Sequence, residues 1–322
     1  MRAYTKGYLT VREQLELLRA RGMSISDVER ATTCLHRVGY YRLSGYSYPF
    51  RHREIVKDSQ GVPLERTLDT FRAHTDFGTI MDLYVFDKRL RLLFLDAIER
   101  IEIGLRVEIA LLLGKKGAYA YRELRTFNAY FSKSDPETGL KNHEKWLSKL
   151  DDEFARSRED FAEHFRKTYQ GPLPIWMSIE VWDFGSLAKV LSGLLPEDLD
   201  DLGKLFGLQE PKRLISWTQS INFVRNVCAH HGRLWNRPLI QQPSPGRVGE
   251  IPLLQHLIGD SLAERRLYAV AVVLQYFMRY IHPGSTWGAR LKSHLESMPA
   301  SPHLSVRHMG FRDRWHEQDI WR

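Results

Sequence analysis

The feature that most constrains this chain is the run from about Asp76 to Leu113. In it Leu83, Phe86, Leu90, Leu93, Ala97, Ile101 and Leu105 recur at alternating steps of three and four. That spacing lines side chains along one face of an α-helix. Asp87 with Arg91, and Glu102 with Arg106, stand four apart and are expected as ion pairs on the other face. A helix of this length reads as a core scaffold. Glu99 and Glu102 are taken as part of it rather than as catalytic groups, and Gly104 is a point where it is expected to bend or break.

Helix signals continue on both sides. Thr10 and Glu13 have capping-box spacing before VREQLELLRAR, and Gly22 follows its last turn; Ser26 and Glu29 repeat the device, and Gly39 closes the second helix. The aromatic-rich GYYRLSGYSYPFR (Gly39–Arg51) suits short extended segments. A β-hairpin is expected to turn across KDSQG (Lys57–Gly61). Further helices are expected over His143–Tyr169, Ile175–Leu195 (with Glu180, Trp182 and Gly185), Glu197–Phe206, from Pro211 into the following apolar run, and over Ala263–Ile281. GPLP (Gly171–Pro174) and QQPSPGRVGEIP (Gln241–Pro252) read as breaks. The expected architecture is therefore mainly α, with a small α/β N-terminal region over residues 1–72, a helical domain over 73–298 and a tail over 299–322.

Composition narrows the partners. Of 322 residues 43% are apolar, enough for one large core or two modest ones, and the formal net charge is +8. A basic surplus of that size favours polyanions such as nucleic acid or acidic lipid. Two cysteines, Cys34 and Cys228, cannot make a disulfide framework and point to a reducing compartment. MRAYTKGYLTVREQ has no apolar core of signal-peptide type. The longest apolar run, Leu267–Met278, contains Gln275 and falls short of the roughly 18 residues that a membrane span needs. A cytoplasmic protein with no membrane partner is expected.

Chemistry concentrates in INFVRNVCAHHGRLWNR (Ile221–Arg237). With Trp217 at zero and about 100° per residue, Trp217, Ile221, Phe223, Val224, Val227 and Cys228 fall on one apolar arc. Gln219, Asn222, Arg225, Asn226 and His230 fall on the opposite one. Arg225 and His230 mark the edges of this polar strip, with Asn222 and Asn226 between them. The strip runs on into Gly232, Arg233, Asn236 and Arg237. A guanidinium forks onto two phosphate oxygens, and an imidazole exchanges a proton near neutral pH. The helix is expected to end near His230 or His231, where its partial negative charge favours a cation. This is equipment for a phosphodiester; with RNA, whose 2′-hydroxyl is a built-in nucleophile, no metal is needed. A structural reading competes, in which Arg225 and His230 are only surface or capping groups.

Other chemistries fit less well. Cys228, His230 and His231, with Cys34 and His36, could be imagined around zinc, but Cys228 belongs to the apolar arc and no CxxC or HxxxH spacing occurs. A buried Cys228 would be inert as a nucleophile. GKKG (Gly114–Gly117) lacks the Walker pattern. Tyr40, Tyr41, Tyr46 and Tyr48 with Arg42, Arg51 and Arg53 could stack and grip single-stranded RNA, although a small aromatic core is the preferred reading.

Arg225–His230 matches the R-x4-6-H signature of HEPN ribonucleases, and the longer RNVCAHHGRLWNR resembles the Abi-like family of bacterial abortive-infection proteins (AbiD/AbiF type). Leu9–Phe50, Leu83–Arg106 and Pro174–Val190 resemble that family in the same order, so the likeness extends to about residue 285. The resemblance implies a HEPN-type helical bundle, metal-independent RNA cleavage and a role as a toxin-like phage-defence protein, in some members with a small non-coding RNA. By the same resemblance Arg225 and His230 are the catalytic pair, Asn226 is the adjacent polar residue, and His231, Arg233 and Asn236 support them; Asn222 and Arg237, from the polar strip itself, are further RNA-contact candidates. HEPN sites commonly form between two copies of the motif, which implies a homodimer. The rival from another class is a non-catalytic RNA-binding or phage-sensing protein that uses the same basic strip.

Overall fold

The computed structural model describes residue 3, residues 7–57 and residues 60–322. Residues 1, 2 and 4–6 of the N-terminal stretch, and residues 58 and 59 of the expected hairpin turn, lie outside the described residues. In chain order the helices and strands are α1 (Val11–Ala20), α2 (Val28–Val38), α3 (Tyr40–Ser47), β1 (Arg51–Lys57), β2 (Pro63–Phe71) and α4 (Phe77–Lys116). There follow α5 (Ala129–Ser132), α6 (Asn142–Arg156), α7 (Asp160–Thr168), α8 (Ile175–Ser178), α9 (Phe184–Gly193) and α10 (Pro196–Leu205). The last are α11 (Lys212–Ala229), α12 (Ser261–Glu264), α13 (Leu267–Ile281) and α14 (Trp287–Glu296). The fold is mainly α, and β1 and β2 form one antiparallel hairpin.

The 40-residue α4 is the axle. Asp76 starts it by accepting a hydrogen bond from the Thr79 N–H at 3.0 Å, and Gly117, at φ 138°, ends it. It packs against α3, α8, α11, α13 and α14. The helix runs unbroken through Gly104, contrary to the expected bend. A side chain there would meet Ile281 of α13 at 3.1 Å, so the glycine serves close helix–helix approach instead. Asp87 and Arg91 form the expected ion pair, but on the face opposite the apolar repeat both are buried. In this half of α4 the helix is surrounded by α3, α14 and the segment after α11, which leaves no solvent face for them.

Local signals fare unevenly. The Thr10–Glu13 capping box is present, whereas α2 is capped by Asp27, whose Oδ1 accepts from the Arg30 N–H, rather than by Ser26. Gly39–Arg51 is not extended: Tyr40–Ser47 is helical, because Leu43, Tyr46 and Ser47 gain burial against α4 and α2 by lying on one helical face. The expected helix over His143–Tyr169 is two, broken at Ser157–Glu159, and that over Ile175–Leu195 is broken at Trp182–Asp183. The carboxylate of Asp183 accepts the Ser186 N–H at 2.7 Å and so starts α9 afresh. Asp260 likewise starts α12, and the chain breaks at Arg265–Arg266 before α13 begins. In the C-terminal segment Met309, Phe311, Trp315 and Ile320 are buried, and Arg279 of α13 donates to the carbonyls of Asp319, Ile320 and Arg322. Among the described residues no helix is long and apolar enough to cross a membrane.

Candidate active site

The orientation of α11 is fixed by its buried face. Leu214, Trp217, Ile221 and Val224 are fully enclosed and Cys228 nearly so. Each large apolar side chain of this kind stabilises the docked helix by about 1.5–3 kcal/mol. The Trp217 indole N–H donates to the Ser244 carbonyl at 2.8 Å, and Arg213 pairs with Glu250, so the loop over 241–252 clamps the start of the helix. With that face locked inward, the opposite strip must face outward: Asn222 and Arg225 are half-buried, and Asn226 and His230 exposed.

Arg225 lies in a cleft of about 440 Å³. Its walls are Glu102 and Arg106 of α4, the end of α6 with the turn after it (Glu153, Arg156, Ser157, Glu159), and the break before α9 (Glu180, Trp182, Asp183). Arg106 bridges the walls, donating to Glu102 at 2.6 Å and to the Trp182 carbonyl at 2.7 Å. Burial raises the Glu102 carboxyl above its ordinary value, with Arg106 and Arg225 opposing the rise. Burial raises Glu153 too, and Asp183 adds to it. Burial would also raise Asp183, but Lys149 and the Ser186 amide outweigh it and hold that carboxylate below its usual range. Asn222 sits beside Gly185, which leaves room for its amide. Glu102, Glu153 and Asp183 were not singled out for this site by sequence reasoning, because they come from three separate elements that meet beside Arg225 only once the helices dock.

His230 caps α11, and the segment after it carries a Schellman closure. The His231 N–H bonds the Cys228 carbonyl at 3.1 Å and the Gly232 N–H bonds the Val227 carbonyl at 2.8 Å. His231 therefore takes a left-handed φ of 55°, a position that favours glycine. Arg225 and His230, five residues apart, project about 140° apart around the helix. One chain does not bring them into contact, and neither side chain has a hydrogen-bond or ion-pair partner among the described residues.

The rest of the motif is anchored inside the protein. Arg233 donates to the Gly45 carbonyl, Arg237 to the Arg233 carbonyl at 2.7 Å, and Asn236 Oδ1 accepts from Arg266 at 2.9 Å. Burial, then Arg237, lowers the Arg233 guanidinium from its ordinary value. Asp87 is the centre of this anchorage. Its carboxylate accepts from the Tyr46 hydroxyl at 2.6 Å, from Arg91 at 2.5 Å and from the Leu234 and Trp235 N–H groups. Arg42 donates to the His231 carbonyl at 2.7 Å, which sets the exposed Arg42 beside the end of α11.

A family model described as Abi-like protein matches residues 33–236. The chain belongs to the Abi-like family. The match covers well over half of the chain and stops at Asn236, at the end of the anchored segment. Comparisons with curated proteins and with solved structures return no match. In this Abi-like protein no group of three or more His, Cys, Asp or Glu side chains is arranged to hold a metal ion among the described residues. Cys228 is buried on the core face of α11, whereas His230 is exposed. The other aromatic and basic residues weighed as an RNA grip are engaged at home. Tyr40 accepts from Arg21, Tyr48 donates to Thr67, and Arg51 and Arg53 pair with Asp69 and Glu65.

Proposed function

We propose that this Abi-like protein is a metal-independent endoribonuclease of the HEPN type acting in phage defence, with a site completed by a second copy of the chain. The observation that carries this reading is the outward strip of α11. Its guanidinium and imidazole have no hydrogen-bond or ion-pair partner among the described residues, while the helix beneath them and the loop after them are fixed by buried contacts. Preorganised polar groups of this kind gain most when charge develops on a bound phosphate.

The chemistry balances without a cofactor. The 2′-hydroxyl oxygen attacks the adjacent phosphorus and its proton passes to a base, for which one His230 serves. Arg225 binds the non-bridging oxygens of the pentavalent phosphorane, and Asn226 holds the imidazole or a phosphate oxygen. The P–O5′ bond breaks as a second, protonated His230 donates to the leaving oxygen. The products are a 2′,3′-cyclic phosphate and a 5′-hydroxyl. Two considerations favour a composite site. Arg225 and His230 diverge on one helix, and the Arg225 cleft of one chain holds five carboxylates against three guanidiniums, an uninviting seat for a phosphate until a second strip adds its charges.

The divergence of Arg225 and His230 also favours a second reading: a non-catalytic RNA-binding or phage-sensing protein that holds an RNA, including a small non-coding RNA, along Arg225, Asn226, His230 and the neighbouring Arg42. Purified protein incubated with RNA, followed by end-chemistry mapping, separates the two. New cyclic phosphate ends that disappear in His230→Ala support the ribonuclease. RNA recovered intact with the protein, with no new ends, supports the binder.

A further inference from the structure

Along α4 one stripe remains uncovered in the single chain. Glu99, Ile103, Val107, Leu111 and Lys115 are all exposed and stand four residues apart, so they form one continuous ridge of the helix. The three central side chains are about half exposed, at 51, 49 and 57%. Beside them Trp176, at 56%, closes a groove of about 510 Å³ lined by Val107, Ala110, Leu111, Gly114 and Ile179.

The order of residues on this ridge is symmetric about Val107. Eight residues before it stands an acid, Glu99, and eight after it a base, Lys115. Four before and four after stand Ile103 and Leu111. Arg106 and Glu108 flank it immediately. Two such helices related by a twofold axis at Val107 and running antiparallel place Val107 on Val107, Ile103 on Leu111 and Glu99 on Lys115. A twofold contact is self-complementary by construction. The pairing follows from the twofold axis alone; at a crossing of about −50° the two four-residue ridges run parallel along the seam. An unrelated partner or a lipid surface would not require opposite charges at equal distances from one central valine.

We infer that this face of α4 is the surface through which two copies of the chain associate, antiparallel and centred on Val107. The apolar centre and the Trp176 groove supply the association, and the charged ends set direction and register. The groove shares Arg106 and Glu180 with the Arg225 cleft, so the seam borders the candidate site in each copy. The choice of a second copy as occupant rests in part on the composite-site reading above.

Sedimentation velocity on the full chain tests this. The wild type is expected to be a dimer and Val107→Glu a folded monomer by circular dichroism, because each glutamate would meet its twin in an apolar seam. Glu99→Lys alone and Lys115→Glu alone are each expected to weaken dimerisation by about tenfold, and the double exchange to restore it. A wild type that stays monomeric, a Val107→Glu dimer of undiminished affinity, or a double exchange without recovery overturns the inference. RNA cleavage is read separately: a monomeric Val107→Glu that still cuts RNA rejects the composite site and leaves the surface standing. An inactive Arg225→Ala that remains dimeric shows that the two properties are independent.

Discussion

The buried carboxylate of Asp87 accepts the backbone N–H of Trp235 at 2.6 Å and thereby ties the N-terminal third of α4 to the segment that follows the Arg225–His230 strip. The same carboxylate receives Tyr46 and Arg91. Its removal would leave a buried guanidinium, a buried hydroxyl and two amides without their acceptor. Asp87→Ala is expected to cost about 3–5 kcal/mol in urea unfolding and to speed hydrogen exchange at Leu234 and Trp235. A loss below about 1 kcal/mol would show that this network contributes little.

Arg225 and His230 are expected to behave in the opposite way. Neither side chain has a hydrogen-bond or ion-pair partner among the described residues, so Arg225→Ala and His230→Ala should leave thermal unfolding nearly unchanged. Each should lower RNA cleavage by about 10²–10⁴. Chelation by EDTA should leave the rate unchanged; a rate abolished by EDTA and restored by zinc would reject the metal-independent mechanism.

His231 occupies a position where glycine is favoured. Relief of its left-handed strain and the added freedom of the unfolded chain oppose each other, so His231→Gly should change stability by less than about 1 kcal/mol. His231→Val, β-branched, should destabilise by about 1–2 kcal/mol. If His231→Gly keeps its stability and full cleavage activity, the imidazole has no part in the site.

Burial, then the charge of Asp87, pushes the Cys228 thiol up to about 12. A thiol-specific reagent should therefore modify the half-buried Cys34 in the native protein and reach Cys228 only on unfolding. Equal rates at both cysteines in the native state would contradict the packing of α11.

Burial holds the imidazoles of His143, His256, His294 and His308 below the ordinary histidine value. The unfolded chain then binds protons first as pH falls, so their contribution is full above about pH 6.5 and is lost below it. The raised carboxyls of Glu102 and Glu153 act in the opposite sense, but in a lower window near the usual carboxylate range. Urea midpoints are expected to drop between about pH 7 and 5.5, with a shallower slope in His294→Gln. His294 stacks on Phe86 at 4.3 Å and bonds its carbonyl at 3.1 Å. A slope unchanged in this variant would remove His294 from the account.

The amino-acid sequence by itself determined the helical character, the long axle, the end of α11 near His230 and the outward face that carries Arg225, Asn226 and His230. These follow from local periodicity and capping, which act over a few residues. Tertiary structure decided what the period could not carry. Tyr40–Ser47 became helical because burial against α2 and α4 outweighed its aromatic, strand-like composition. Asp87 and Arg91 were buried because the segment after α11 returned to cover them. Arg225 gained carboxylate neighbours because α4, the end of α6 and the break before α9, three separate elements, meet beside it. Each depends on which surfaces meet after the helices dock, and contacts between residues so far apart in the chain leave no periodic trace in either segment.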